Sequence, residues 1–182
     1  MRPAEAMRGH PFTMAHGFDE DVAASSGSTS WALGELLVPV DIRVDARADR
    51  KREALRLVAD LLARKTRTDP GAVLAALLRR ERLGPTHVGD GIAMPHGRLA
   101  GSFRPAASVL RLHQPVAYGT NEDDGVDVLV AILWPEAGAT GFVPTLARTW
   151  RLLRSPCVSK AIRRARTPED LHCVLAGAED RG

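Results

Sequence analysis

From Val126 to Trp134 the chain reads Val-Asp-Val-Leu-Val-Ala-Ile-Leu-Trp, apolar throughout after Asp127. The run is partly β-branched and is far shorter than the ~18 residues of a membrane-spanning helix. A strand that is apolar at successive positions has no side to show to water, so it belongs at the centre of a sheet covered on both faces. The rest of the chain must supply those covers.

Helical signals lie on both sides of this run. Ser30 is a candidate cap for a short helix through Trp31, Leu33, Leu36 and Leu37, ended by Pro39. Ile42 and Val44 alternate with charged residues, as in a short strand. Ala54, Leu55, Leu57, Val58, Leu61 and Leu62 recur at helical spacing, with Asp49 as a candidate cap. Asp69-Pro70 is a cap-then-proline helix start. Val73, Leu74, Leu77 and Leu78 form the apolar face that follows, and Gly84 suits the exit. Ile92-Ala93-Met94 and Ala107 to Leu112 read as further strands. Three helices close the chain. Val143, Leu146, Trp150 and Leu153 are the expected inner face of the first. Ser155-Pro156 starts the second, with Val158 and Ile162 inward. Thr167-Pro168-Glu169-Asp170 resembles a capping box that starts the third, with Leu171, Val174 and Leu175 buried. The fold class is therefore α/β, a mixed β-sheet sandwiched between helices.

Residues 1 to 28 hold no periodicity and read as a flexible tail, leaving one domain over 29–182. Met7 and Met14 are alternative starts within that tail. No apolar signal-peptide core is present, and no run suits insertion into a membrane, so the default location is cytoplasmic. Cys157 and Cys173 read as free thiols of a reducing compartment. A net charge of +3 is too small to argue for nucleic acid. The basic run Arg148, Arg151, Arg154, Lys160, Arg163, Arg164 and Arg166 is either a solvated helical face or a docking face for an acidic partner.

The chemistry concentrates between Arg80 and Leu99. His96 stands between Pro95 and Gly97. Gly89 and Gly91 precede it, where backbone can approach an anion, and Thr86 and Arg80 come before them. A neutral imidazole is a nucleophile that ionises near physiological pH. Backbone N–H groups, a hydroxyl and a guanidinium are the groups that hold a phosphoryl group. The string thus suggests a histidine that carries phosphate, with amides near Gly89, Gly91 and Gly97 as candidate oxygen ligands. Thr86 has an alternative as a turn residue bonding its own loop. Arg80 has one as an end-of-helix charge placed well for the macrodipole. His87 and His96 lack metal-ligand spacing, so no metal and no cofactor is expected.

These residues resemble the active-site signature of the enzyme IIA domains of the bacterial phosphotransferase system, in the fructose/mannitol/nitrogen-regulatory class. The resemblance runs from about Leu33 to Leu175, with Leu112–Tyr118 and Val126–Leu133 as further similar segments. It implies a mixed sheet flanked by helices and phosphorylation of His96 by the histidine-containing phosphocarrier protein. It also favours Arg80 over Arg79 and Arg82 as the site arginine. An enzyme IIB, a sensor kinase or a potassium transporter is the implied downstream partner, the nitrogen-regulatory branch being most similar.

The match has departures. The family usually places a second histidine where this chain has Phe142, after the Pro135-Glu136 turn, and phenylalanine neither donates nor accepts a proton. His87 replaces a small or apolar residue, and is either an exposed histidine or a substitute for the missing imidazole. Asp90 replaces an asparagine and is expected to raise the cost of phosphorylation or to raise the pKa of His96. Pro85 replaces a serine and removes a backbone donor. Three functions compete: a working phosphocarrier, a binding module impaired in transfer, and a nucleic-acid binder using the basic C-terminal helices.

Overall fold

The computed structural model describes residues 30–119, 125–138 and 140–179. The tail expected over 1–28 lies outside the described residues. Six helices and six strands are present among them: α1 (Leu33–Leu36), β1 (Ile42–Ala46), α2 (Lys51–Thr66), α3 (Pro70–Glu81), β2 (His87–Gly89), β3 (Ile92–Ala93), β4 (His96–Leu99), β5 (Ala106–Ala117), β6 (Gly125–Pro135), α4 (Phe142–Leu153), α5 (Pro156–Arg164) and α6 (Pro168–Glu179). The sheet order is β1-β5-β6-β3-β2, with β4 also pairing to β6.

β6 is central, as its apolar run requires. It is antiparallel to β5 on one edge and parallel to β3 and β4 on the other. Val128, Val130, Ile132 and Trp134 enter one core, beneath α1, α5 and α6. Leu129, Ala131 and Leu133 enter the other, beneath α2 and α3. All seven are at most 1% exposed. Two-sided burial thus explains why a period of two leaves no mark on the sequence here.

Helix ends follow local chemistry. The Asp69 carboxylate accepts from Ala72 N at 2.7 Å, with Pro70 in the first turn. Thr167 Oγ1 accepts from Asp170 N at 3.1 Å, and the Asp170 carboxylate accepts from Thr167 N at 3.2 Å, a reciprocal cap. Two expected caps are corrected. α1 begins after Ala32, whose N–H meets the Glu35 carboxylate at 2.6 Å, and α2 is preceded by Arg50, not by Asp49. Cys157 and Cys173 are free and exposed.

The inner face of α4 also differs from expectation. Thr145, Thr149 and Leu153 are its buried residues, one turn apart, while Val143 is 69% and Trp150 39% exposed. At the start of the helix the Phe142 ring packs on Trp134, with centroids 5.5 Å apart. Thr145 accepts a hydrogen bond from Trp31 N at 2.9 Å, so a polar residue is tolerated inside. Trp150 faces out beneath the Arg154 guanidinium, 4.7 Å from its ring centroid.

Candidate functional site

β3 and β4 lie end to end along the same edge of β6, interrupted at Met94-Pro95. Ile92 and Ala93 pair with Val128 and Leu129, and His96 resumes opposite Ile132. Proline cannot donate to a ladder, but the Pro95 carbonyl still accepts from Ile132 N at 3.0 Å. His96 is therefore the first residue of a rigid strand rather than a loop residue past a strand end.

Gly97 lets that strand lie close to α3. A Cβ there would meet the Ala76 backbone carbon at 3.1 Å and its Cβ at 3.3 Å. Gly97→Ala is expected to destabilise the fold by about 1–3 kcal/mol through overpacking, read as a lower urea midpoint. Midpoints equal to wild type would show that α3 yields freely.

The contacts of His96 fix its tautomer. Nδ1 lies 2.9 Å from the Met94 carbonyl, which can only accept. Arg80 Nε, which can only donate, lies 2.9 Å from Nε2. The proton is thus on Nδ1 and the lone pair on Nε2. Arg80 sits in the last turn of α3 and is held by a second bond to the Gly84 carbonyl at 3.2 Å.

The pKa of His96 is lowered from its ordinary value of 6.5. Burial is the main cause, and the Arg80 charge adds to it, while the Met94 hydrogen bond and Glu81 act the other way. This corrects the expected upward shift from Asp90. The sign for stability follows. Above 6.5 the ring is neutral in both folded and unfolded chains and contributes nothing. As pH falls below 6.5 the unfolded chain takes up the proton first, so stability declines towards the folded pKa. Imidazole NMR is expected to show His96 titrating below 6.5, and a midpoint above that value would contradict the geometry.

The ring borders an open cleft of about 780 Å³ that is also lined by Arg79, Arg80, Arg98, Glu136 and Phe142. Phe142, the first residue of α4, stands 6.1 Å from His96 between ring centroids, with planes at 62°. It occupies the wall where the resemblance would put a second imidazole. Three guanidinium groups against one carboxylate give the cleft a positive field.

Several sequence candidates lie elsewhere. Gly89, Asp90 and Gly91 form the β2–β3 hairpin turn, all with positive φ. Asp127 N donates to the Gly91 carbonyl, whereas His96 pairs with Ile132, so about 16 Å of strand at ~3.3 Å per residue separates them. The turn amides therefore do not reach the ring. Gly91 is needed because a Cβ would strike Arg163 Nη2 at 2.7 Å and Asp127 Oδ1 at 2.9 Å. The Asp90 carboxylate accepts from Ser159, and its carbonyl from Arg163 Nη2 at 2.5 Å. Arg163 also grips Asp127 at 2.6 and 2.8 Å, which fastens α5 to this turn and answers part of the basic run.

Thr86 is 7% exposed and is not among the residues that line the cleft. Its N–H and hydroxyl donate to the Glu81 carboxylate at 2.9 and 2.7 Å, so it ties the loop to α3. Thr86→Val is expected to cost about 1–3 kcal/mol of unfolding free energy while leaving the His96 ring contacts intact, readable by urea titration and imidazole NMR. His87 pairs with Ala93 on β2, and its Nε2 is buried without a partner among the described residues. It makes no ring contact with His96 there. Arg79, Arg98 and Glu136 were not legible as site residues. Reading 96–99 as a strand would have put Arg98 on the face of His96. Among the described residues no cluster of three or more His, Cys, Asp or Glu suits a metal ion, and no helix is long and apolar enough to cross a membrane.

The sequence model of the family described as "Phosphoenolpyruvate-dependent sugar phosphotransferase system, EIIA 2" matches residues 35–177. A nitrogen regulatory protein of Bradyrhizobium diazoefficiens is 33% identical over 144 residues, covering 79% of this chain and 94% of that protein. The crystal structure of nitrogen regulatory protein IIA-Ntr from Neisseria meningitidis superposes with a TM-score of 0.73 at 25% identity, covering 78% of this chain and 97% of that one. The structure of IIA mannitol from Escherichia coli gives 0.62 at 22% identity, covering 76% and 98%, and speaks for the fold alone.

Proposed function

The chain belongs to the EIIA 2 family of the phosphoenolpyruvate-dependent sugar phosphotransferase system, and on that premise we propose that it is a cytoplasmic phosphohistidine carrier acting through His96. The phosphoryl group comes from the histidine-containing phosphocarrier protein. One observation carries the reading: His96 lines an open, cationic cleft with Nε2 unprotonated and capped by Arg80, while Met94 holds the Nδ1 proton.

The step balances without an added base. The Nε2 lone pair attacks phosphorus in line, forming the new N–P bond. The donor's N–P bond breaks, and its electron pair returns to the donor nitrogen. Each ring keeps the proton on its far nitrogen throughout, so the donor leaves as a neutral imidazole. Arg80 Nε gives up the lone pair it caps and turns its donors to the phosphoryl oxygens. The lowered pKa of His96 serves this step, because only the neutral ring attacks.

The similarity to nitrogen regulatory proteins favours a stand-alone signalling role. Phosphorylation adds about −1.5 to −2 charge to a cleft lined by three guanidinium groups. That largely cancels the cleft's positive field and changes which surfaces dock there. An enzyme IIB, a sensor kinase and a potassium transporter are the partner classes to test. A second reading, a binding module impaired in transfer, is favoured by Phe142, which offers the transferred oxygens no donor.

The experiment is incubation with phosphoenolpyruvate, enzyme I and the phosphocarrier protein, followed by intact-mass measurement. The expected gain is one acid-labile phosphate per chain, absent in His96→Ala. Persistent failure with several carriers, while a partner still binds, would replace this reading with the second.

A further inference from the structure

We infer that Arg98 is a phosphoryl-binding residue of the His96 cleft, a second guanidinium that takes the transferred oxygens together with Arg80. The inference rests on the carrier reading above and adds a residue to it.

Strand alternation places Arg98. Gly97 packs on Ala76 of α3, and Leu99 joins the core beneath α2 and α3. His96 and Arg98 therefore share the opposite face of β4, about 7 Å apart along the strand. Both line the same cleft.

The guanidinium is positioned before any ligand arrives. Its Nη2 donates to the Glu136 carbonyl at 2.6 Å. That carbonyl is itself fixed, since Glu136 N donates to Leu99 O at 3.0 Å and Arg98 pairs with Trp134 in the ladder. The Arg98 carbonyl accepts from Arg79 Nη2 at 3.0 Å, which ties the strand to α3 from the other side.

One donor is left over. Arg98 Nε is buried and has no hydrogen-bond partner among the described residues. A charged group's N–H held away from water without an acceptor is costly, so the guanidinium gains by turning toward an anion that enters the cleft it lines. No carboxylate forms an ion pair with Arg98 among the described residues. Two other donor groups suggested by the sequence are committed or distant: Thr86 donates to Glu81, and the Gly89–Gly91 turn lies at the far end of β6, where the Gly91 carbonyl accepts from Asp127 N. A phosphoryl group carries three oxygens and Arg80 approaches from α3 only. A planar guanidinium anchored on the β6 side matches the remaining oxygens better than an ammonium would.

The test compares wild type, Arg98→Gln and Arg98→Lys in two assays. With the phosphocarrier protein, Arg98→Gln is expected to slow phosphorylation of His96 by about 100-fold, and Arg98→Lys to recover part of it. In the second assay inorganic phosphate is titrated into the unphosphorylated chain at fixed ionic strength, with the His96 ring followed by NMR. Phosphate-dependent shifts are expected in wild type and lost in Arg98→Gln, with the Nδ1–H tautomer and the urea midpoint unchanged. Wild-type phosphorylation rates and phosphate shifts in a folded Arg98→Gln would overturn the inference. If Arg98→Gln does not fold, full wild-type behaviour of Arg98→Lys in both assays would overturn it too. Failure of wild type itself to accept phosphate from the carrier would strike the carrier reading instead, and the phosphate titration would still decide Arg98.

Discussion

Arg80→Leu is expected to slow phosphorylation of His96 by about 100- to 1000-fold, the range for loss of one preorganised donor to developing charge. Arg80 does two things that no other described residue does. Its Nε caps Nε2 at 2.9 Å, which holds the lone pair on the attacking atom. Its charge helps to keep the ring neutral. Without it, the imidazole pKa is expected to rise, with burial, the larger cause of its depression, still in place. From about pH 8 to 6, wild type should therefore keep its rate to lower pH than a histidine of ordinary pKa would. The variant's rate should begin to fall at a higher pH than wild type's. A phosphorylation time course across this range, with imidazole NMR on the same samples, checks both statements. A variant as fast as wild type would remove Arg80 from the chemistry and leave it a helix-end charge.

The second large effect is on stability. Glu81→Ala is expected to cost about 3–5 kcal/mol of unfolding free energy, the range for breaking a buried ion pair by removing one partner. Glu81 is 9% exposed and ends α3 directly after Arg80. Its carboxylate accepts from Lys51 at 2.9 Å and from the Thr86 N–H and hydroxyl. Removing it strands the Thr86 N–H, leaves the Thr86 hydroxyl only the Tyr118 hydroxyl at 3.4 Å, and leaves Lys51 only the Tyr118 carbonyl and ring. Tyr118 has its own pKa raised, by burial first and by Glu81 next, so it stays a neutral phenol and cannot replace the lost charge. Urea titration measures the cost, and Glu81→Gln, which keeps an acceptor, should lose less. A loss under 1 kcal/mol in Glu81→Ala would mean that water already serves these donors.

What the sequence disclosed tracks how local each signal is. Asp69-Pro70 and Thr167-Pro168-Glu169-Asp170 cap helices through neighbours in the chain, so both were legible. β6 was legible because nine residues shared one environment. β3 shows as the apolar run Ile92-Ala93-Met94, but β2 and β4 have three and four residues, too few for any period to show, and both contain glycine. Gly89 and Gly91 were read as an anion cradle because glycine permits close approach. The fold uses their positive φ to turn a hairpin, a demand that leaves the same mark. Asp90 is matched by Arg163, a residue 73 positions away, and no local pattern announces such a partner. His96 and Arg80 stand out by the residue types of their string and by its resemblance to a known signature, and the fold brings the two into contact. Arg98's place in the same cleft depends on strand direction, which the string does not contain.

The bond from the His96 ring to the Met94 carbonyl also decides regiochemistry. Of the two isomers of phosphohistidine, the one bearing phosphorus on the nitrogen nearer the backbone is closed to this chain. A chemical donor that modifies both nitrogens of free histidine should yield a single isomer here, distinguishable by its phosphorus and ring-nitrogen resonances.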